Sequence, residues 1–212
     1  MYKRQHFDFP PKLRLESLLD SEYQIIEAPE DIIPDPLNFE VIQSGLCTES
    51  LGKNLYILAK TPSTNLLVLT LADSGEPHGT VILAEHQPAG KGRLGRSWVS
   101  SPNKNIFCSL ILKKPELQEH LSWISLVTGL AIAEAIQTNH STTLSLKWPN
   151  DLLVADKKLG GILCQGITQK GNAPALIVGF GVNVNSTSED LPPELHNIST
   201  SLYQESRRFC NR

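Results

Sequence analysis

Several features of common protein classes are scarce in this 212-residue sequence. Its four cysteines, Cys47, Cys108, Cys164 and Cys210, lie far apart and form no C-x-x-C pair, which argues against a zinc site or a dithiol redox motif. The net charge is only −3, so no overall positive field favours a nucleic-acid partner. No window approaches the roughly 20 apolar residues of a membrane span, and no N-terminal run resembles a signal peptide. The sequence therefore predicts reduced cysteines, no membrane or nucleic-acid partner, and the cytoplasm as default compartment.

The first 53 residues differ in composition from the rest. Residues 1–50 carry ten acidic side chains against four basic ones, together with prolines at positions 10, 11, 29, 34 and 36. This composition predicts an acidic, proline-rich N-terminal extension with short helical pieces. Residues 54–212 instead alternate compact strand and helix patterns, and they predict one domain.

Hydrophobic periodicity in residues 54–212 predicts an α+β fold. The predicted elements are a strand at 54–60, a helix from Ser63 or Thr64 to Gly75, strands in "TVILAEHQ" and "NIFCSLILK", a helix over 117–138, and four further strands. The last four strands follow one another through turns too short for parallel crossovers, such as Pro149-Asn150 and Asp156-Lys157, so they are expected to be antiparallel. We expect a mostly antiparallel mixed sheet packed against helices.

The segment "GKGRLGR" places three glycines and three cations in residues 90–96, between two predicted strands. The glycines raise the conformational entropy of the free loop and the cations repel one another, so the loop is expected to be poorly ordered alone. Glycine-rich turns offer inward-pointing amides, and guanidinium groups bind phosphate or carboxylate in a bidentate manner. The spacing matches neither a P-loop nor a dinucleotide-binding fingerprint. The loop indicates an anion site, with a solvated basic hairpin as the alternative.

Two further segments supply cations next to tight turns or gaps. In "KWPND", strand alternation directs Lys147 away from the apolar face, and Asn150 and Asp151 turn the chain at a corner suited to phosphates and Mg²⁺. In "DKKLGGIL", Lys158 enters a strand beside Gly160 and Gly161. Glycines inside a strand mark a bulge or the close approach of a ligand or another backbone. Each segment alone also fits exposed lysines on an ordinary turn, but together they favour one shared site.

The collinear set "STN", "AEHQPAGKGRLGRSWVSS", "NIFCSL", "KWPNDLL", "KLGGILC" and "GFGVNVN", over roughly residues 54–185, resembles the biotin–protein ligases, also called holocarboxylase synthetases. The resemblance implies the biotin/lipoate ligase fold, which resembles class II synthetase catalytic domains. It implies that ATP activates biotin to biotinyl-5′-AMP, and that biotin then passes to a lysine on the biotin carrier domain of a biotin-dependent carboxylase. Residues 54–212 are then a catalytic domain that is short at its C-terminal end, because relatives continue into a small β-barrel domain.

The resemblance also assigns roles to individual residues. The catalytic residues would be Lys158, Arg93 and Lys147. Biotin would be bound by Ser63, Thr64, Asn65, Gln87, Gly90, Lys91, Arg93, Lys158, Gly160 and Gly161. ATP and the adenylate would be bound by Arg93, Arg96, Trp98, Lys147, Asn150, Asp151 and Asn183, with Mg²⁺ at Asp151. Trp98 is expected either to cover a ligand ring or to belong to the core.

Two alternatives to an active biotin ligase remain at this point. A truncated isoform that only binds biotin or a carboxylase is suggested by the short C-terminal end. A lipoate–protein ligase shares the fold, but the arginine-glycine motif with a following His-Asp that is typical of that family is absent from the sequence.

Overall fold

A computed structural model describes residues 24–25, 36–99, 101–140, 142–167 and 174–212 of the chain. Its centre is one eight-stranded sheet in the order β1-β2-β3-β4-β8-β7-β6-β5. The strands are β1 (Gln24–Ile25), β2 (Leu55–Lys60), β3 (Val81–Ala84), β4 (Ile106–Leu112), β5 (Ser145–Lys147), β6 (Asp151–Val154), β7 (Lys157–Ile167) and β8 (Ala175–Val182). Strands β2 and β3 are parallel and every other neighbouring pair is antiparallel. The predicted α+β fold with a mostly antiparallel sheet is confirmed.

Four α-helices accompany the sheet within the described ranges: α1 (Phe39–Gly45), α2 (Thr64–Asp73), α3 (Leu121–Asn139) and α4 (Leu202–Ser206). Ser63 is the N-cap of α2, and Gly75 follows its end with a φ of +97°, as the sequence predicted. The long predicted helix begins later than expected, because Pro115–His120 forms a 3₁₀ turn before α3. A predicted turn at Lys170–Asn172 lies outside the described residues.

The two faces of the sheet are covered differently. Helix α2 packs its buried Leu67, Val68 and Leu71 on one face. On the opposite face α1 contacts β2, and α3 packs along β7. Beside α3, over β4 and β8, lies an apolar cavity of about 530 Å³, here called the central groove. Its walls include Ile106 and Leu110 of β4, Val178, Phe180 and Val182 of β8, and Val127, Ala131 and Ala135 of α3.

Helix α3 is unusually apolar for its exposure. Within the described ranges it is the one helix that is long and apolar enough, by its 19 residues and composition alone, to cross a membrane. On this criterion the expectation that no segment approaches a membrane span is wrong. The helix lies on the sheet through Ser125, Gly129, Ala133 and Ile136, all buried. Gly129 allows close packing, since a Cβ there would lie 3.0 Å from Leu146 Cδ2.

Part of the segment assigned to the N-terminal extension belongs to the packed body. Leu37 is 8% exposed and joins Leu55, Leu83 and Cys108 in a cluster that Phe39 and Ile42 complete. Helix α1 is the short helical piece expected there. The remainder of the extension lies outside the described residues, except for Gln24 and Ile25 in β1.

The cysteines are free thiols, as predicted. Cys108 is buried in β4, and Cys164 is half-buried in β7. Burial raises the pKa of each of these two thiols to about 12. Neither thiol therefore ionises near neutral pH, which fits a packing role.

Candidate active site

The predicted site segments come together around one cavity of about 350 Å³. The N-terminal end of α2, the loop after β3, the corner between β5 and β6, and the facing strands β7 and β8 form its walls. Thirteen of the residues assigned from the sequence line it: Ser63, Thr64, Asn65, Gln87, Lys91, Arg93, Arg96, Trp98, Lys147, Asn150, Asp151, Lys158 and Gly161. The sequence therefore located the cavity, although these segments are distant along the chain.

A buried polar network forms the floor of the cavity at the start of α2. Gln87 Oε1 accepts hydrogen bonds from the Thr64 backbone N at 2.7 Å and from Thr64 Oγ1 at 2.9 Å. Ser109 Oγ lies 2.7 Å from Thr64 Oγ1 and 2.5 Å from Asn65 Oδ1. Asn65 Nδ2 donates to Gln165 Oε1 at 2.9 Å. Because the protein itself satisfies these atoms, the floor is preorganised before any ligand binds.

Ser109 and Gln165 were not among the predicted site residues. Ser109 is 0% exposed and stands in the apolar strand β4. The single hydroxyl in the apolar run "IFCSLIL" could have indicated a polar site, since a buried polar side chain needs a hydrogen-bond partner. Gln165 gave a weaker signal, because it lies near the end of β7 where polar residues are common.

The strand glycines admit side chains of the protein itself. A Cβ at Gly179 would lie 1.7 Å from Asn65 Oδ1. A Cβ at Gly161 would lie 2.9 Å from Trp98 Cζ3, and one at Gly181 would lie 2.8 Å from Trp98 Cε2. The close approach inferred from the sequence is present, but the approaching groups are Asn65 and the Trp98 indole.

Trp98 and Lys158 meet above this glycine gap. The Lys158 Nζ lies 5.4 Å from the centroid of the Trp98 ring, within the range of a cation–π contact. The same ammonium lies 2.7 Å from Asp151 Oδ1. Trp98 Nε1 is buried without a hydrogen-bond partner in the described part of the chain. The indole thus covers the gap above Gly161 and Gly181, and Lys158 is held between a carboxylate and an aromatic face. Whether the indole also covers a ligand ring stays a prediction.

The glycine-rich loop forms a tight hairpin that reaches the opposite wall. Gly92 N donates to the Arg96 carbonyl at 2.7 Å, and Trp98 N donates to the Gly90 carbonyl at 2.9 Å. Arg93 Nη1 donates to Asn150 Oδ1 at 3.2 Å. Asn150 is fixed in turn, because its Nδ2 donates to the Ile162 carbonyl at 3.0 Å. The loop and the "KWPND" corner are therefore in direct contact across the cavity.

Three predicted site residues do not line the cavity. Gly90 and Gly160 allow close backbone packing, since a Cβ would lie 2.7 Å from the Trp98 carbonyl oxygen and 2.8 Å from the Gly181 carbonyl oxygen, respectively. Asn183 is 6% exposed, and its Nδ2 donates to the Thr200 carbonyl at 3.0 Å. Its position fits an anchor for the segment before α4.

The cavity is strongly biased towards anions. Five cationic side chains line it, Lys91, Arg93, Arg96, Lys147 and Lys158, against the single carboxylate of Asp151. Low-dielectric walls focus such a field and raise the local concentration of anions. The described residues contain no group of three or more His, Cys, Asp or Glu side chains that could hold a metal ion. The site is therefore suited to a polyanion next to a preorganised polar floor.

Comparison with known proteins finds a matching family, related sequences and a similar solved structure. Residues 57–183 match the Biotin/lipoate A/B protein ligase family. The chain is 33% identical over 198 residues to a bifunctional ligase/repressor BirA of Bacillus spizizenii, covering 93% of this chain and 59% of that protein. It is 33% identical over 170 residues to a biotin–[acetyl-CoA-carboxylase] ligase of Mycobacterium tuberculosis, covering 77% of this chain and 62% of that protein. The chain thus spans about three fifths of the length of these relatives.

A solved structure resembles the fold as well. The biotin protein ligase of Aquifex aeolicus in complex with biotin and ATP superimposes with a TM-score of 0.65 and 34% sequence identity. The match covers 76% of this chain and 64% of that one.

Proposed function

Because the chain belongs to the biotin/lipoate A/B protein ligase family, we propose that it activates biotin with ATP and transfers it to a lysine of a biotin-dependent carboxylase. A biotin carboxylate oxygen attacks the α-phosphorus of ATP, the bond to the β-phosphate breaks, and pyrophosphate leaves. The acceptor amine then attacks the carbonyl carbon of biotinyl-5′-AMP, loses a proton, and AMP leaves. The observation that carries this proposal is the cavity that joins a polar floor to five cations.

In the first step the side chains act by binding, orientation and charge neutralisation. The floor of Thr64, Asn65 and Gln87 suits the polar ring of biotin. Lys158 lies next to the floor and would hold the biotin carboxylate. Arg93 and Lys147 line the same cavity and would hold the phosphates of ATP. Lys158 would then hold the attacking carboxylate within reach of the α-phosphorus.

Trp98 would separate the two substrates from water. Its indole fills the gap above Gly161 and Gly181, and an adenine ring can stack on an aromatic face at such a position. Loop closure over the adenylate would protect the mixed anhydride from hydrolysis. The ordering of the loop by ligand, expected from its composition, stays a prediction.

Magnesium fits this site only as a companion of ATP. Asp151 is the single carboxylate in the cavity wall and already pairs with Lys158. A Mg²⁺ ion usually keeps several waters and binds through one or two carboxylates and substrate phosphates. Asp151 would supply that one carboxylate, and the positive charge of the metal ion would help neutralise the phosphates.

The acceptor is proposed to be a biotin carrier domain, because the M. tuberculosis relative is named for an acetyl-CoA carboxylase. Biotin is preferred over lipoate as the substrate, because the M. tuberculosis relative is named a biotin–[acetyl-CoA-carboxylase] ligase and the solved structure is a biotin protein ligase in complex with biotin and ATP. The cytoplasmic location stays a prediction.

The test is pyrophosphate release from ATP by the purified chain, with biotin, with lipoate and without either. We expect release that depends on biotin and is lost in Lys158→Ala. Release with lipoate alone would instead indicate a lipoate ligase. An absence of release, with biotin still raising the melting temperature, would identify a binding protein without ligase activity.

A further inference from the structure

A buried ion pair lies at the base of the loop between β3 and β4. Glu85 directly follows β3, and its side chain and that of Arg212 are each 1% exposed. Arg212 Nη1 lies 2.6 Å from Glu85 Oε2, and Nη2 donates to Oε1 at 3.2 Å. Two parallel contacts of this kind fix both the distance and the orientation of the two groups.

The same guanidinium also reaches the far end of the loop. Arg212 Nη1 donates to the carbonyl oxygen of Asn105 at 3.2 Å, immediately before β4. The backbone supports this closure, because Asn103 N donates to the Glu85 carbonyl at 3.0 Å. Asn105 is itself held, since its Oδ1 accepts hydrogen bonds from Val184 N at 2.9 Å and Ser186 Oγ at 2.7 Å. Arg212 therefore joins the two ends of the loop to each other.

The loop closed in this way carries much of the candidate site. Gln87 follows Glu85 by two residues and accepts both hydrogen bonds from Thr64. Lys91, Arg93 and Trp98 lie further along the same loop and line the cavity. Holding the ends of a loop together restricts the conformations of everything between them. The pairing of Ala84 with Phe107 already brings the loop ends together, and Arg212 adds a side-chain link directly next to it.

We infer that Arg212 is a positioning residue of the active site, which holds the biotin- and nucleotide-binding loop through Glu85 and Asn105. The inference rests on the proposed function for the identity of the ligands. The contacts of Arg212 with Glu85 and Asn105, here called the clamp, are a property of the free protein. They can be tested without the ligands.

The choice of variants follows from burial. Removing the guanidinium alone leaves the Glu85 carboxylate buried without its cation, which destabilises a fold strongly. Arg212→Met is therefore paired with the uncharged double variant Glu85→Gln/Arg212→Met, which lacks the clamp and also the orphaned charge. Arg212→Lys keeps the charge but lacks the planar guanidinium. A lysine ammonium therefore cannot bind Glu85 and Asn105 together as well as arginine does.

The first measurement is site-resolved cleavage by a protease that cuts only after lysine. Lys91 lies in the loop and is exposed, and Lys53 is an exposed lysine before β2 that serves as the internal control. No lysine occurs in residues 171–212, so the protease does not cut next to Arg212. We expect the rate of cleavage after Lys91 to rise about fivefold or more in the double variant, with cleavage after Lys53 unchanged. Arg212→Lys should give a rate between wild type and the double variant.

The second measurement is biotin binding by calorimetry at a temperature where all variants are folded. The dissociation constant should rise about tenfold in the double variant and less in Arg212→Lys. If the folded double variant is cut after Lys91 at the wild-type rate, or if cleavage after Lys53 rises equally, the positioning role is wrong. If wild-type protein binds no biotin, the proposed function fails, and the cleavage rates still decide whether Arg212 holds the loop.

Discussion

Asp151, the first residue of β6, holds the ammonium of Lys158 on β7 at 2.7 Å. The two side chains are 27% and 35% exposed, so solvent screens the pair and it adds little to the stability of the fold. A biotin carboxylate that approaches Lys158 must share this ammonium with Asp151. The negative charge of Asp151 also repels the biotin carboxylate. Asp151→Asn should therefore tighten biotin binding by about threefold to tenfold in the absence of ATP and magnesium. Calorimetry measures this directly.

The matched ligand for that experiment is biotin amide, which lacks the carboxylate. Its affinity should be the same for wild type and Asp151→Asn, and the melting temperatures should agree closely. Weaker biotin binding by the variant would mean that Asp151 assists the carboxylate site, for example by orienting Lys158, and would contradict simple competition.

Trp98 provides a second test, because its ring occupies the space above two glycines. In Gly161→Ala the new methyl group would lie 2.9 Å from Trp98 Cζ3 and 3.3 Å from Lys158 Nζ, so both groups must move. We expect ATP affinity to fall about tenfold by calorimetry, since the cation and the aromatic face lose their positions. Gly45→Ala is the control, as a Cβ there meets nothing within 4 Å. Unchanged ATP affinity in Gly161→Ala would mean that Trp98 does not contribute to nucleotide binding.

The sequence brought the cations beside glycine-rich turns into one shared site, although each segment alone also fitted exposed lysines on an ordinary turn. Lys91, Arg93, Lys147 and Lys158 all line the cavity as expected. It could not identify the groups that fill the glycine gaps. Glycines inside a strand indicate that something lies close above the strand. The residue that fills the space above Gly161 and Gly181 is Trp98, which comes from a loop whose path depends on the whole fold.

Long-range polar contacts were the main feature that sequence reasoning missed. The resemblance assigned Asn183 to the nucleotide, which stays a prediction, but it gave no sign that the amide donates to the Thr200 carbonyl. Glu85 and Arg212 form a buried pair across 127 positions of the chain. Such pairs connect irregular segments, and neither strand alternation nor helix periodicity restricts their partners.

Gly179 and Asn65 should behave as one unit in unfolding experiments. A Cβ at position 179 would lie 1.7 Å from Asn65 Oδ1, so Gly179→Ala must displace the amide from Ser109 and Gln165. We expect Gly179→Ala to cost about 2–3 kcal/mol in urea unfolding, and Asn65→Ala about 1–3 kcal/mol. The double variant should cost clearly less than the sum, because the alanine methyl then occupies the space the amide leaves. Additive costs would show that the two residues do not share this contact.

Asp190 ties the segment after the glycine-rich loop to the segment before α4. Lys104 Nζ lies 2.6 Å from its Oδ1, and Thr187 N donates to its Oδ2 at 2.7 Å. Burial opposes ionisation of Asp190, but the hydrogen bonds from Lys104 and Thr187 outweigh it and lower its pKa. A lowered pKa stabilises the fold above the ordinary value of 3.8, and this contribution is lost as the pH falls through the folded-state pKa.

Asp190→Asn should accordingly lower the melting temperature at pH 7 by about 3–5 °C, a modest amount because Lys104 is partly exposed. The difference from wild type should shrink as the pH is taken below 3.8. Glu189→Gln, an exposed neighbour in the same turn, is the control and should change the melting temperature little. A difference that stays constant between pH 7 and pH 3 would assign the effect to packing instead of charge.

The central groove should bind the aromatic ring of an amphipathic dye in the folded protein, because it exposes aliphatic side chains of β4, β8 and α3 around about 530 Å³. Val127 lines the groove and is 59% exposed, whereas Val41 on α1 is 67% exposed and lies outside it. Lysine at either position stays solvated, so each change should alter stability by no more than about 0.5 kcal/mol. Val127→Lys should lower the fluorescence of a bound naphthalene sulfonate dye by about half or more, while Val41→Lys leaves it unchanged. Since the dye is anionic, Val127→Gln serves as an uncharged second variant with the same expected loss. Equal dye binding by all four proteins would place the exposed apolar surface elsewhere.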